Sequence, residues 1–379
     1  MKREVEKKSK DGIKRILYFD FLRAFAPVAV IWIHVCPNMY RFHLDISSSD
    51  FMMSNAVQWL ARWAVPIFIM MSGALFLNSE KQFSFRKHLK KNVLRLVIVY
   101  LFWSVVYAAA AATFSFSLGS QGWWKHFLSI ACGVHYYHLW YLIVLVLLYL
   151  MVPVLRKITA NRALMNYFLI LGIVICFALP AIGEYCTLIL KRVNESSQLP
   201  VVGVLKGIED ITGYMAGKLR LDFMVYFVLG YFLHSEDLSR KLRIVLYAFG
   251  IVAMINIILI SMLRFNLLGY DRNGATEENI NVAVLTFSSA IFIAAKYGFQ
   301  KVRKLPKWIM NMAKYSFGIY LCHALFIDFV LYKGNVNPFP VGHKKLELLL
   351  FVVATVVIYI ASYLVTWAFS KIPLLRKIV

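Results

Sequence analysis

Charge is scarce in this chain, and negative charge scarcest. Of its 379 residues 16% are charged, with 19 Asp and Glu against 42 Lys and Arg, while 60% are hydrophobic and the mean hydropathy is +0.66. One core cannot hide that much apolar surface, so the composition excludes a soluble globular domain and calls for a bilayer as solvent. Cysteine is limited to five residues, Cys36, Cys132, Cys176, Cys186 and Cys322, with no Cys-x-x-Cys pair. An odd total lying mostly in or beside apolar runs indicates neither a disulfide framework nor a zinc site, and the five are expected to be packing residues. Internal repeats, coiled-coil heptads, low-complexity tracts and connecting segments long enough to fold alone are also missing. Function is therefore expected in the helices or their short loops.

Long apolar runs are what the chain has in plenty. Stretches fit for a membrane helix lie near 16–37, 56–77, 93–114, 137–155, 167–190, 222–234, 244–263, 281–299, 311–332 and 347–370, about ten spans. The sixth is the weakest, because Leu221 to Leu233 is short and follows Gly207, Gly213 and Gly217, so its start could fall anywhere from Ile208 onward. The basic N-terminus resembles a signal peptide and Ala24-Phe25-Ala26 mimics a cleavage site. The apolar run continues to Val35, however, and reads as a retained anchor.

The net charge of +23 is interpretable only once it is placed along the chain. Segments 1–15, 78–92, 156–166, 235–243, 300–308 and 371–379 hold 25 basic residues; the alternate segments 38–55, 115–136, 191–221, 264–280 and 333–346 hold 12. The first set is expected to be cytoplasmic, which puts both termini inside and explains the excess as loop charge rather than nucleic-acid binding. The expected fold is an all-α integral membrane bundle of about ten transmembrane helices, multi-pass in the cell membrane. Residues 1–15 form a basic cytoplasmic segment, 16–370 the transmembrane domain and 371–379 a cytoplasmic tail.

The first span carries three ionisable groups on one face. Arg23 and His34 are eleven positions apart, about 20° from being in line, and Asp20 lies about 40° from His34. Along the axis Arg23 and His34 are separated by about 16 Å, half the hydrocarbon thickness, with Arg23 toward the cytoplasm. An arginine inside the membrane costs at least about 2.5 kcal/mol, so Arg23 should face a polar cavity or a partner, and Asp20 is the nearest candidate. Two readings follow from the residues alone: a structural ion pair with a satisfied core histidine, or a functional stripe. His135 and His138 have i, i+3 spacing without a third ligand, which makes a poor metal site. His43, His88, His126, His234 and His343 fall in loops or at helix ends and read as solvated.

Arg23, ten intervening residues and His34 match the arginine/histidine signature of acyltransferase family 3, and further segments match in order. Phe68-Ile-Met-Met-Ser72-Gly73 looks like the family's Phe-Ser-Gly element. Lys91 and Arg95, followed by Tyr100 and Trp103, look like the basic start of its third helix, although Lys91 stands where arginine is usual. His138-Leu-Trp140-Tyr141 with Tyr149 and Pro153 resembles the fourth-helix element, and Phe227 with Gly230 the glycine-bearing sixth. Tyr315-Ser316-Phe317-Gly318-Ile319-Tyr320 followed by His323 resembles the late Ser-x-Gly-Ile-Tyr-x-x-His motif. These matches run from residue 18 to 323.

The resemblance implies a membrane enzyme that moves an acyl group, most often acetyl, from cytoplasmic acyl-CoA to a hydroxyl of an extracytoplasmic glycan or lipid-linked sugar. It implies acetyl-CoA as donor co-substrate, no metal, lipid and glycan partners, and no nucleic acid; a homo-oligomer is compatible with it. His34 would act as general base or transient acyl carrier, with Asp20 and His323 in the catalytic group. Arg23, Lys91, Arg95, Ser72, Trp140, Tyr141 and Tyr320 would bind the donor, with Ser72, Tyr320 or a protonated His323 as oxyanion donors. Each has a plainer alternative. Ser72 and Gly73 serve close helix packing, Trp140 and Tyr141 an interfacial belt, Lys91 and Arg95 the positive-inside bias, and His323 a buried polar contact. The rival functions are a glycan-intermediate transporter or flippase and a non-catalytic acyltransferase-like scaffold.

Overall fold

The computed structural model of the chain describes residues 6–8, 14–40, 49–80, 82–114, 136–193, 200–218, 221–268, 281–332 and 344–379. Two three-residue strands, β1 (Glu6–Lys8) and β2 (Lys14–Ile16), pair antiparallel with Lys7 opposite Arg15. The other described elements are helices: α1 (Leu17–Tyr40), α2 (Ser49–Ala61), α3 (Ala64–Phe76), α4 (Phe85–His88), α5 (Leu94–Phe114), α6 (Trp140–Ala160) and α7 (Arg162–Ile173). They continue with α8 (Leu179–Val193), α9 (Pro200–Lys218), α10 (Asp222–Ser235), α11 (Arg240–Leu268), α12 (Val282–Gly298), α13 (Lys307–Ile327) and α14 (Lys344–Lys371). Single π-turns at Leu89–Val93 and Val174–Ala178 join α4 to α5 and α7 to α8, and a third, Asp328–Tyr332, extends α13.

Among the described residues, eight helical stretches are long and apolar enough to cross a membrane: Leu17–Cys36, Phe51–Phe76, Phe85–Ala110, Trp140–Ala160, Arg162–Val193, Arg240–Arg264, Lys307–Leu331 and Lys345–Lys371. The two other expected spans are also helical but shorter, α10 with 14 residues and α12 with 17. Between Leu94 and Val105 the outward face of α5 shows Leu94, Ile98, Leu101 and Val105, each close to half exposed. Their spacing is that of one helix face, and such a stripe is stable against lipid but not against water. The protein is thus a multi-pass helical membrane protein.

The chain divides into two compact units. In the first, made of residues 1–43, 80–153 and 299–379, α1 packs on α13 and α14, and these pack on each other. Phe21 sits between Phe25 and Phe299, at ring distances of 4.8 and 4.7 Å, and joins a core formed by Ala24, Leu305, Ile309 and Ala313. Gly318 lies against Thr366 so closely that a Cβ would overlap the threonine side chain. The second unit, residues 44–79 and 154–298, holds the glycines of the Phe-Ser-Gly and sixth-helix elements. A Cβ on Gly73 would overlap the Phe227 carbonyl, and one on Gly230 would overlap the Met70 backbone. These two motifs are therefore the two sides of one α3–α10 crossing, where small residues let backbones approach.

Candidate active site

The candidate site lies in the first unit, along the inner face of α1. Near its far end the His34 ring is 5.4 Å from that of His323 and 4.9 Å from that of Tyr137. His323, on α13, is fully buried; His34 is half-buried. The turn that precedes α6 adds His138, whose ring lies 5.0 Å from His323. Two bonds fasten this turn to α13: the Tyr320 hydroxyl donates to the His138 carbonyl, and His138 Nε2 is 3.3 Å from the Leu321 carbonyl. Tyr107 of α5 donates to the same Leu321 oxygen at 2.8 Å and packs 4.9 Å from His138.

Carbonyl oxygens only accept, and this sets the ring hydrogens. His323 Nδ1 is 2.5 Å from the Tyr320 carbonyl and must donate to it, as His138 Nε2 must to Leu321. In the neutral rings the opposite nitrogens are then lone-pair acceptors. Both of these, His138 Nδ1 and His323 Nε2, are buried without a partner among the described residues. Leaving a buried acceptor unmatched costs about 1–3 kcal/mol, so sites of this kind are commonly completed by a ligand or water.

From the imidazoles a line of polar aromatics leads toward Arg23. Tyr320 is 5.6 Å from His138 and 5.2 Å from Tyr141, and the phenols of Tyr141 and Tyr149 are within electrostatic range of the Arg23 guanidinium. Arg23 itself is half-buried, with its guanidinium carbon 5.9 Å above the Phe19 ring. Asp20, the nearest candidate partner for Arg23 by helix spacing, lies within electrostatic range of its guanidinium. Its direct contact is with Arg15, whose Nε donates to the buried Asp20 carboxylate at 3.0 Å, because β2 brings Arg15 back over the start of α1. Among the described residues Arg23 makes no ion pair at contact distance.

Beyond Arg23 the unit turns strongly basic. A shallow, open surface depression is lined by Ser84, Arg86, Lys87, Lys90 and Lys91. The Ser84 hydroxyl caps α4 by accepting from the Lys87 amide, and the π-turn that follows carries Lys90 and Lys91. Arg95 is engaged elsewhere: it donates to main-chain oxygens of Lys377 at 2.9 Å and Val379 at 3.3 Å. Trp103 reaches the Ile378 carbonyl at 3.4 Å, so α5 holds the C-terminal segment in place.

The expectation of a solvated His88 is overturned. Its side chain is buried, donating from Nε2 to the Tyr149 carbonyl at 3.0 Å and accepting at Nδ1 from the Asn92 amide at 3.0 Å. His234 is half-buried, and His43, His126, His135, His343 and Cys132 lie outside the described residues. The other four cysteines are buried.

The structure thus gathers His34, His323, Tyr320 and Tyr141 into one locality, with Trp140 6.3 Å from Tyr141 at its edge. Ser72 belongs to the second unit, where its hydroxyl donates to the Phe68 carbonyl at 3.0 Å. The single proton of Tyr320 is directed at a main-chain carbonyl and not at a substrate position. His138 stands in the fourth-helix motif and in a poor metal pair but has no site role in the sequence, and neither Tyr107 nor Tyr137 carries any sequence signal. Among the described residues no three His, Cys, Asp or Glu side chains are arranged to hold a metal ion.

An intramembrane arginine and a cluster of imidazoles are gathered in one unit, an arrangement that membrane proteins rarely keep without a use for it. The comparison with protein families makes the assignment specific: the family model described as an acyltransferase domain matches residues 16–370, nearly the whole chain, and the protein belongs to acyltransferase family 3. Neither the curated proteins nor the solved structures gave a match. Membership indicates membrane acyltransferase activity in general.

Proposed function

We propose that the chain transfers an acyl group, most often acetyl, from cytoplasmic acyl-CoA to a hydroxyl of an extracytoplasmic glycan or lipid-linked sugar. In this reading it crosses the cell membrane ten times with both termini inside. The observation that carries the proposal is the pairing of the His34 and His323 rings at 5.4 Å on a face of α1 that also bears Arg23. The open basic surface around Lys91 supports a docking place for the phosphates of CoA, and Arg23 a contact for the polar pantetheine arm further in. Tyr141 and Tyr320 then line the way toward the imidazoles.

In the direct mechanism His34 takes the proton of the acceptor hydroxyl while its oxygen attacks the thioester carbonyl. The resulting tetrahedral centre collapses with cleavage of the C–S bond, and the imidazolium returns the proton to the departing thiolate. The product is an ester and CoA. An acyl-histidine route would instead split the reaction into two half-reactions with ping-pong kinetics.

The test is release of CoA from acetyl-CoA by the purified full chain in detergent, in the presence and absence of acceptor glycan. His34→Ala should lower turnover by about 100-fold or more, the scale of a lost general base, without altering the elution profile of the folded protein. Full turnover in His34→Ala would overturn the histidine mechanism, and no CoA release by the wild type would overturn acyl transfer itself. A transporter would move glycan with acetyl-CoA left intact.

A further inference from the structure

A histidine that is merely structural satisfies both ring nitrogens, as His88 does between Tyr149 and Asn92. His138 and His323 behave differently. Among the described residues each satisfies only its donor nitrogen, through the Leu321 and Tyr320 carbonyls, and each leaves its acceptor nitrogen buried and unmatched. The two rings are 5.0 Å apart, and four tyrosines, Tyr107, Tyr136, Tyr137 and Tyr320, stand within 6 Å of His138. Tyr137 is 42% exposed and also packs on His34, so the cluster reaches from the buried imidazoles to the surface beside the proposed base.

Two unmatched acceptors on neighbouring rings disfavour an anion and suit a ligand with two donors. Neighbouring hydroxyls of one molecule meet that demand, since each O–H···N bond adds about 2.8 Å to the reach between the rings. Tyrosine faces supply an apolar wall for the C–H groups between those hydroxyls. We propose that His138 Nδ1 and His323 Nε2 jointly receive two neighbouring hydroxyls of a polyol acyl acceptor, making His138 a specificity-determining residue. The proposal rests on the acyl-transfer reading given above. It adds the acceptor's chemistry: paired hydroxyls rather than an isolated alcohol.

Isosteric amides separate the ligand role from the structural one. Glutamine at 138 places its amide N–H near the position of Nε2 and keeps the bond to Leu321, but removes the Nδ1 acceptor. Asparagine at 323 keeps the bond to Tyr320 and removes Nε2. The full-length protein in detergent is supplied with acetyl-CoA and either methyl α-D-glucopyranoside, which has neighbouring hydroxyls, or 1-propanol, which has one. Acetyl ester is read by mass spectrometry and CoA release by thiol titration.

Wild type should favour the glucoside, and His138→Gln should raise its KM by about tenfold or more while the KM for acetyl-CoA and the Tm hold. An unchanged glucoside KM in His138→Gln, or a wild type that treats the two alcohols alike, overturns the proposal. If His138→Gln lowers the Tm, His323→Asn decides by the same glucoside measurement. Failure of the two claims is distinguishable: no CoA release with any acceptor removes acyl transfer, whereas CoA release without diol preference removes only the paired-acceptor site.

Discussion

Pro153 has no main-chain N–H, so the carbonyl four residues before it, that of Tyr149, receives no helical donor. His88 fills the gap from another helix with its Nε2–H, and Asn92 completes the ring. His88→Ala should therefore cost about 1–3 kcal/mol, the penalty for a buried carbonyl left unmatched. Pro153→Ala restores the helical donor, so the double variant should lose less than His88→Ala alone; thermal unfolding of the four proteins in detergent measures the difference. The sequence contained this cue in Tyr149 and Pro153 but not the identity of the donor, which is 61 positions away. His138 was visible, like His34 and His323, through a motif, but its role was not, because its partner carbonyl is 183 positions away. Arg23 was legible as an intramembrane charge near Asp20, although the direct contact of that carboxylate is with Arg15. If Arg23 holds the donor, Arg23→Gln should weaken acetyl-CoA binding and flatten its salt dependence, as titration at two ionic strengths reads; unchanged affinity confines the residue to structure.

Between whole helices, the contact that tolerates least change is the α3–α10 crossing. Gly73 and Gly230 each face backbone, which cannot rotate away as a side chain can. Gly73→Ala or Gly230→Ala should destabilise the second unit by about 1–3 kcal/mol or more, read as a lower Tm and a larger aggregated fraction on size exclusion. A change at Gly203, which meets nothing within 4 Å, serves as the control and should be nearly neutral. Helix positions were legible because apolar runs are the dominant signal in a membrane chain. Local departures were not. The π-turns leave no mark in hydropathy, yet one carries Lys90 and Lys91 and another follows His323. Nor was α9 foreseen as a separate helix, since Lys206, Glu209 and Asp210 break its apolar pattern and its glycines read as a boundary.

For the molecule as a whole, orientation turns on the two short helices. At 1.5 Å per residue α10 and α12 extend about 21 and 26 Å, less than the roughly 30 Å hydrocarbon core. Hydropathy alone therefore favours eight spans, but α10 has Val225, Tyr226, Phe227 and Val228 wholly buried, and a helix enclosed by protein need not match the lipid thickness. Eight and ten spans agree on the side of both termini and of most loops; they disagree on segments 235–243 and 264–280. The basic residues in these segments number three and two, too small a difference for the positive-inside bias to decide, so a direct measurement is required. Ser239 is exposed between α10 and α11 and offers a position for it. With ten spans, a cysteine at Ser239 should resist a membrane-impermeant maleimide in intact cells and react after permeabilisation, while one at Asn273 should react in both; the unsubstituted chain is the control. Labelling of Ser239→Cys in intact cells would leave α10 as a helix that supports α3 without crossing, and would reduce the bundle to eight spans.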